Sequence, residues 1–410
     1  MRNLLENIKI NSYRLLNLSP KMKECILLDL ARVLRKNCQE ILKANERDLA
    51  NFTKDSPTKD RLLLDEKRIE GLCLQLESIA LLEDPIGRIV KGWTNYAGLR
   101  IEKITVPIGL ICVIYEARPA LSAEIIALMI KSANACILKG GKEAKHTNTI
   151  LFSLASEVLQ KYGLEECFAM LYEKDEIAKL LVCDDVIDLL IPRGSSQMIQ
   201  EIAKNTKIPL IKQDKGLCHI FIDESAPLQQ AVDIVLNAKC QRPSVCNALE
   251  TLLVHKNIAS HLFSLLIPKL ETFGVQIYAH ANAFDCFKST NLKTFLADER
   301  SFDTEWHNLS MSVKLVEDCN EAIEHINKHS SAHSEAILSN DMQNILLFQK
   351  LVDSACIYVN ASTRFSDGGE FGFGGEVGIS TTKLHARGPM GVEEICTYKY
   401  LITGQGQIRE

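Results

Sequence analysis

Between Lys23 and Phe52 the chain reads "KECILLDLARVLRKNCQEILKANERDLANF", with apolar residues returning every three to four positions. That period predicts helices over the first eighty or so residues, and "LSPK" just before supplies a Ser-Pro start. From Gly109 the texture changes. "GLICVIYE" is a continuous apolar run, "SAEIIALMIKSAN" has a helical period, and "ACILKGGKEA" opens on a second run. This is the pattern of a βαβ unit in a parallel sheet buried on both faces. The alternation goes on through a helix near "TNTILFSLASEVLQKYG", a strand at "VIDLLIP", a helix from "SSQMIQEIAKN" and a strand near "IPLIK". A second series comprises "ETLLVH" as strand, "NIASHLFSLLIPKLETFG" as helix and "VQIYAH" as strand. The pattern predicts an α/β protein with two doubly wound parallel-sheet domains. "GLRIEKITV" and "CTYKYLITGQGQIR" alternate like edge or subunit-pairing strands, which points to a small oligomerisation element. "NASTRFSDGGEFGFGGEVGIS" carries no period and reads as a site-lining loop.

Composition narrows the function. The 410 residues are 46% apolar and 24% charged, as in an ordinary globular protein of two or three domains. A net charge of −5 and a pI near 6.1 give no basic field for a nucleic-acid backbone. "MRNLLENIKINS" lacks the continuous apolar stretch of a secretory signal, and no apolar run approaches the roughly 18 residues of a membrane span. The 14 cysteines are scattered, mostly inside apolar runs, and no C-x-x-C occurs. They read as reduced thiols of a cytoplasmic protein, without the usual zinc or dithiol signature.

One of those cysteines stands apart. In "KCQRPSVCNALETLLV" two cysteines lie six positions apart, and only the second, Cys246, follows a proline-broken loop and opens onto an apolar run. A thiol near a cation or a helix N-terminus gains thiolate character; Arg242 is a candidate cation, and Asn247 and the Cys246 backbone N–H are candidate donors to an oxyanion. The ordinary reading of any one cysteine, a small buried hydrophobe, outweighs this by roughly ten to one before context is counted. The strand-to-helix turn Arg193-Gly194-Ser195-Ser196 suits a phosphate, or is an N-capping serine closing a βα loop; this stretch alone leaves both open. Lys139, Lys142 and Lys145 surround Gly140 and Gly141 after another strand, as ribose or phosphate contacts or as a solvated rim. No G-x-G-x-x-G follows the first strand, so a dinucleotide would be held by a non-standard route. His325, His329 and His333 fall at i, i+4 and i+8, but the Ser330-Ser331 pair ends that helix; a solvated histidine-rich helix end is expected, with no metal.

The blocks "VPIGLICVIYEARP", "ALMIKSANACILKGGKEA", "DLLIPRGSSQMI", "KCQRPSVCNALETLLVH" and "NASTRFSDGGEFGFGGEVGISTTKLHARGPMGVEEICTYKY" occur in this order. Together they closely resemble the gamma-glutamyl phosphate reductases of the aldehyde dehydrogenase superfamily, from about residue 5 to the last residues. The resemblance implies an aldehyde-dehydrogenase-like fold. It divides the chain into a dinucleotide-binding domain (1–90 and 108–235), a catalytic domain (236–390) and oligomerisation strands (91–107 and 391–410). It implies reduction of L-glutamyl 5-phosphate to L-glutamate 5-semialdehyde in proline synthesis, with NADPH as cofactor. Cys246 matches the nucleophile. Lys139, Gly141, Lys142, Glu143, Arg193, Gly194, Ser195 and Glu305 are carried over as cofactor contacts, and Arg118, Asn247, Ser362, Thr363 and Arg364 as substrate contacts. A homo-oligomer is expected, and glutamate 5-kinase is a candidate partner. Hydrolytic aldehyde dehydrogenases carry a glutamate base in an E-L-G-G-K segment where this chain has "IKQDKGLCH", leaving only Asp214 or His219 as substitutes. The alternative function is such a hydrolytic enzyme on the same fold. The chain departs from the family at Ala120 (usually Asn), Ser244 (usually Gly) and Gly375 (commonly Ala); the first bears on how substrate or oxyanion is held.

Overall fold

The computed structural model of the chain describes residues 1–52, 57–212 and 215–409. It divides into two compact units, Met1–Gln213 with Phe371–Glu410, and Asp214–Glu370.

In the first unit the helical N-terminus is as the periodicity requires. Ser19 caps the helix Pro20–Lys36 by accepting the Met22 N–H, and Pro20 occupies its first turn, where a missing N–H costs nothing. Its buried face of Ile26, Leu27, Leu30, Ala31 and Leu34 shares a core with Leu72, Leu76 and Ile79 of the helix Glu66–Leu81. Strands β1 (Ile89–Thr94) and β2 (Arg100–Pro107) pair antiparallel. Then come β3 (Leu110–Tyr115), β4 (Ala135–Lys139), β5 (Phe168–Leu171) and β6 (Leu189–Arg193), a parallel sheet in the order β5-β4-β3-β6. The helices Leu121–Lys131 and Lys145–Lys161 make the crossovers from β3 to β4 and from β4 to β5. β3 and β4 are buried throughout, which is why they read as unbroken apolar runs.

The second unit is a seven-stranded parallel sheet of β7 (Cys218–Ile222), β8 (Leu249–His255), β9 (Gln276–Ala279), β10 (Thr294–Leu296), β11 (Ser310–Val316), β12 (Ser334–Leu338) and β13 (Cys356–Val359). Its order is β10-β9-β11-β8-β7-β12-β13. The helix Leu228–Cys240 connects β7 to β8, and Ala259–Phe273 connects β8 to β9, ending at Gly274 with φ 66°, a left-handed stop that favours glycine. The chain then returns to the first unit with the antiparallel pair β14 (Gly378–Ser380) and β15 (Gly388–Met390), and β16 (Cys396–Thr403) adds to β2.

Several details differ from the sequence reading. The expected strand at Ile208–Lys212 is a single parallel bridge between Leu190 and Leu210, because Pro209 has no N–H with which to extend the ladder. The units join at 213/214 and 370/371, where breaks were expected at 235/236 and 390/391. β7 hydrogen-bonds to β8 and β12, which carries residues 215–235 into the second unit, and Val377 packs into the core of the first. The solvated histidine end is a misreading. The helix Cys319–His329 does stop before His333, but His325, His329 and His333 are all buried. Asp303 holds the His329 ring at 2.8 Å, and Phe302 lies edge-on to His325 with ring centroids 4.8 Å apart. All 14 cysteines are free, and among the described residues no helix is long and apolar enough to cross a membrane.

Candidate active site

Cys246 lies in the turn between the helix Leu228–Cys240 and β8, three residues before that strand begins, and is half-buried. No helix starts there, so its surroundings come from neighbouring loops. The Cys218 thiol donates to the Cys246 carbonyl at 3.3 Å. A Cβ built on Gly216 would stand 2.1 Å from that carbonyl oxygen and 2.5 Å from the Cys246 Cα, so only glycine permits this approach. Asn247 is buried, and its amide nitrogen donates to the carbonyls of Ser366 (2.9 Å) and Arg364 (3.3 Å). Thr363 Oγ1 donates to the Asn247 carbonyl at 2.8 Å, and the Arg364 guanidinium donates to Asn247 Oδ1 and to Gln241 (3.1 Å). The amide expected to serve an oxyanion is therefore engaged in bracing the Ser362–Ser366 turn. The cation it brings beside the cysteine is Arg364, whose pKa burial, and then Arg242, hold below the ordinary guanidinium range. Cys246, Asn247, Thr363 and Arg364 thus form one cluster, with Ser362 capping its turn through the Arg364 N–H.

β-strand alternation separates Cys218 from His219. The sulfur of Cys218 faces Cys246, and His219 points to the opposite face of the sheet, where Glu335 accepts from its backbone N–H (2.6 Å) and pairs with its Nδ1 (3.0 Å). His219 is not placed to activate water beside the cysteine. Asp214, the other substitute base, lies outside the described residues.

Glu305 lies in the same unit between Phe302 and β11, half-buried, with His307 Nε2 at 3.3 Å. In the first unit the remaining candidates gather at the carboxyl ends of β3, β4 and β6, where open parallel sheets take their ligands. Lys139 is buried, bends back to donate to the Gly140 carbonyl at 2.7 Å, and burial lowers its pKa. Gly141 precedes the 3-10 turn Lys142–Ala144, in which Lys142 is exposed, and Glu143 accepts the Ala117 N–H at 2.6 Å. Ser195 caps the helix Ser196–Lys204, and its own N–H donates to the Glu116 carboxylate at 2.8 Å. An anionic group is thus already received at this helix start, as phosphate would be. Arg193 is buried with its guanidinium 3.6 Å from Glu376, a contact inside the fold that leaves it poorly placed for a phosphate. Arg118 follows β3 in a half-buried turn. Sequence reasoning missed Cys218, Gly216 and Glu116. Their contacts are made by residues distant in the chain, and no local spacing announces them.

Comparison with known proteins agrees with this architecture. The model of the aldehyde dehydrogenase family matches residues 14–282. A curated relative from Campylobacter jejuni, named gamma-glutamyl phosphate reductase, is 68% identical over 410 residues, the full length of both chains. One of the same name from a Sulfurovum species is 45% identical, again over the full length of both. A crystal structure of gamma-glutamyl phosphate reductase from Thermotoga maritima superposes with a TM-score of 0.93 at 36% identity, covering 100% of this chain and 99% of that one. The chain belongs to the aldehyde dehydrogenase family and, within it, to the gamma-glutamyl phosphate reductases.

Proposed function

We propose that this chain reduces L-glutamyl 5-phosphate to L-glutamate 5-semialdehyde and phosphate with NADPH, a step of proline biosynthesis, through a thioester on Cys246. Full-length identity of 68% to a protein named for this reaction is the observation that carries the reading. A free carboxylate is too poor an electrophile for hydride, whereas an acyl phosphate carries a good leaving group. The Cys246 thiolate attacks the acyl carbon and phosphate leaves with the bonding pair, which divides one hard step into two easier ones. Bound nicotinamide supplies the hydride that reduces the thioester. The resulting thiohemiacetal anion re-forms its carbonyl and expels the sulfur, giving aldehyde and returning the thiolate. Arg364 beside Cys246 stabilises the anionic sulfur and attracts the anionic substrate. The Ser195 turn and the Lys139–Glu143 segment hold the nucleotide's phosphate and ribose, and Glu305 holds the nicotinamide ribose.

The placement of His219 on the far face of β7 favours this reading over the hydrolytic one, since water attack on the thioester would waste it. The acyl phosphate itself must come from a kinase acting on the side-chain carboxylate of glutamate. The antiparallel sheet of β1, β2 and β16 is proposed as the contact with a second copy of the chain. Oxidation of glutamate 5-semialdehyde by NADP+ with and without inorganic phosphate tests the reaction. The expected result is strict dependence on phosphate; phosphate-independent formation of glutamate would establish the hydrolytic enzyme instead.

A further inference from the structure

The mechanism above makes no use of a charged pair buried beneath the cysteine turn. Lys239, in the last turn of the helix Leu228–Cys240, and Glu250, second residue of β8, are fully buried. They bracket the turn that carries Cys246 and Asn247. Lys239 Nζ donates to the Leu249 carbonyl at 2.9 Å and to Glu250 Oε2 at 3.0 Å, so the two ends of the turn are tied together across its base. Glu250 Oε2 also accepts the backbone N–H of Trp306 at 3.3 Å, the residue after Glu305. Glu250 Oε1 is buried and makes no hydrogen bond.

Such an arrangement is a poor way to stabilise a fold. Removing two charges from water is costly, and a hydrophobic pair of similar volume is often as stable or more so. An unmet carboxylate oxygen adds to the cost. Burial raises the Glu250 pKa above the usual carboxylate range despite Lys239 beside it, with Glu305 raising it further, and burial likewise pulls Lys239 below the usual lysine range; both shifts record the cost of holding a charge there. What the pair does supply is geometry: one carboxylate oxygen of β8 holds both the Lys239 ammonium, which ties the preceding helix to the start of that strand, and the peptide next to Glu305.

We infer that Lys239 and Glu250 are positioning residues that hold the cysteine turn and the Glu305 segment in one frame, so that the acyl carbon on Cys246 and the incoming hydride meet in register. The inference rests on the roles of Cys246 and Glu305 proposed above. Near-attack geometry is demanding, and a displacement of about 1 Å can cost on the order of 100-fold in rate.

The test compares Lys239→Met/Glu250→Leu, Lys239→Met/Glu250→Gln and Glu250→Leu with the unaltered chain. Thermal stability, alkylation of Cys246 by iodoacetamide, and kcat and KM for NADPH are measured on each. The Met/Leu variant should match or exceed the parent in stability and alkylate within about 3-fold of it, yet lose roughly 10–100-fold in kcat with a raised KM for NADPH. The Met/Gln variant keeps an acceptor for the Trp306 N–H and should recover most of that loss. Full turnover in a stable Met/Leu variant would overturn the inference, as would equal losses in Met/Leu and Met/Gln. If Met/Leu does not fold, the Met/Gln variant against Glu250→Leu decides on the same criterion. Failure of the underlying reading looks different: turnover would then persist in Cys246→Ala.

Discussion

Cys240 and Cys246 are six positions apart and chemically unlike. Cys240 packs at the edge of an apolar core, where burial pushes its thiol up to about 11, so it stays protonated and inert at neutral pH. Cys246 is held by its carbonyl, with Arg364 nearby. Cys246→Ala should therefore lower acyl-phosphate reduction by ~1000-fold or more while NADPH affinity stays similar, and Cys240→Ala should stay within about 3-fold of the parent. Steady-state kinetics with nucleotide-binding titrations check both, and the reverse order would mean that the wrong sulfur has been assigned. Gly216 offers a second test, independent of the thiol itself. Its α-carbon has no room for a methyl group against the Cys246 backbone. Gly216→Ala should displace the turn and cost roughly 100-fold in kcat, and peptide mapping should still find Cys246 as a free thiol.

The helix Cys319–His329 carries a pH dependence of its own. Burial, reinforced by His219 and His329, lowers the pKa of His325 from 6.5 to about 2. The unfolded chain binds a proton at this site below pH 6.5 and the folded chain does not, so stability is full above 6.5 and falls as pH drops below it. The limiting slope is about 1.4 kcal/mol per pH unit. His325→Leu should flatten the decline between pH 6.5 and 4.5 in urea-unfolding curves; an unchanged slope would show that other groups carry it. This element also marks where sequence reading ends. β3, β4 and β8 were legible because both faces of each are buried, and the end of the helix Ala259–Phe273 because Gly274 stops it. The burial of His325 was not, since histidine is amphipathic and its partners Phe302 and His219 come from separate elements. The cysteine turn was legible as a motif, but the use of the Asn247 amide depends on carbonyls more than a hundred positions away.

At the scale of the molecule the unexplained surface is the sheet β1-β2-β16, which pairs Arg100 with Thr403 near the far end of the chain. All of β1 and most of β16 are exposed. In β16, Tyr398, Tyr400 and Ile402 alternate onto one face, where Trp93 of β1 meets Tyr400 edge-on at 6.1 Å between ring centroids and the Lys103 ammonium lies 3.5 Å from the centre of the Tyr398 ring. Soluble proteins rarely leave so apolar a sheet face bare, and bare edge strands invite pairing with another chain. A second copy covering this face, as proposed above, would account for both. Tyr400→Glu/Ile402→Glu places two charges on the face without touching the core, so folding should survive while association does not. Sedimentation velocity is expected to show the parent as a dimer or larger and the variant shifted toward monomer, with helical circular dichroism unchanged. A parent chain that sediments as a monomer at all accessible concentrations would remove the argument and leave the aromatic face without an occupant.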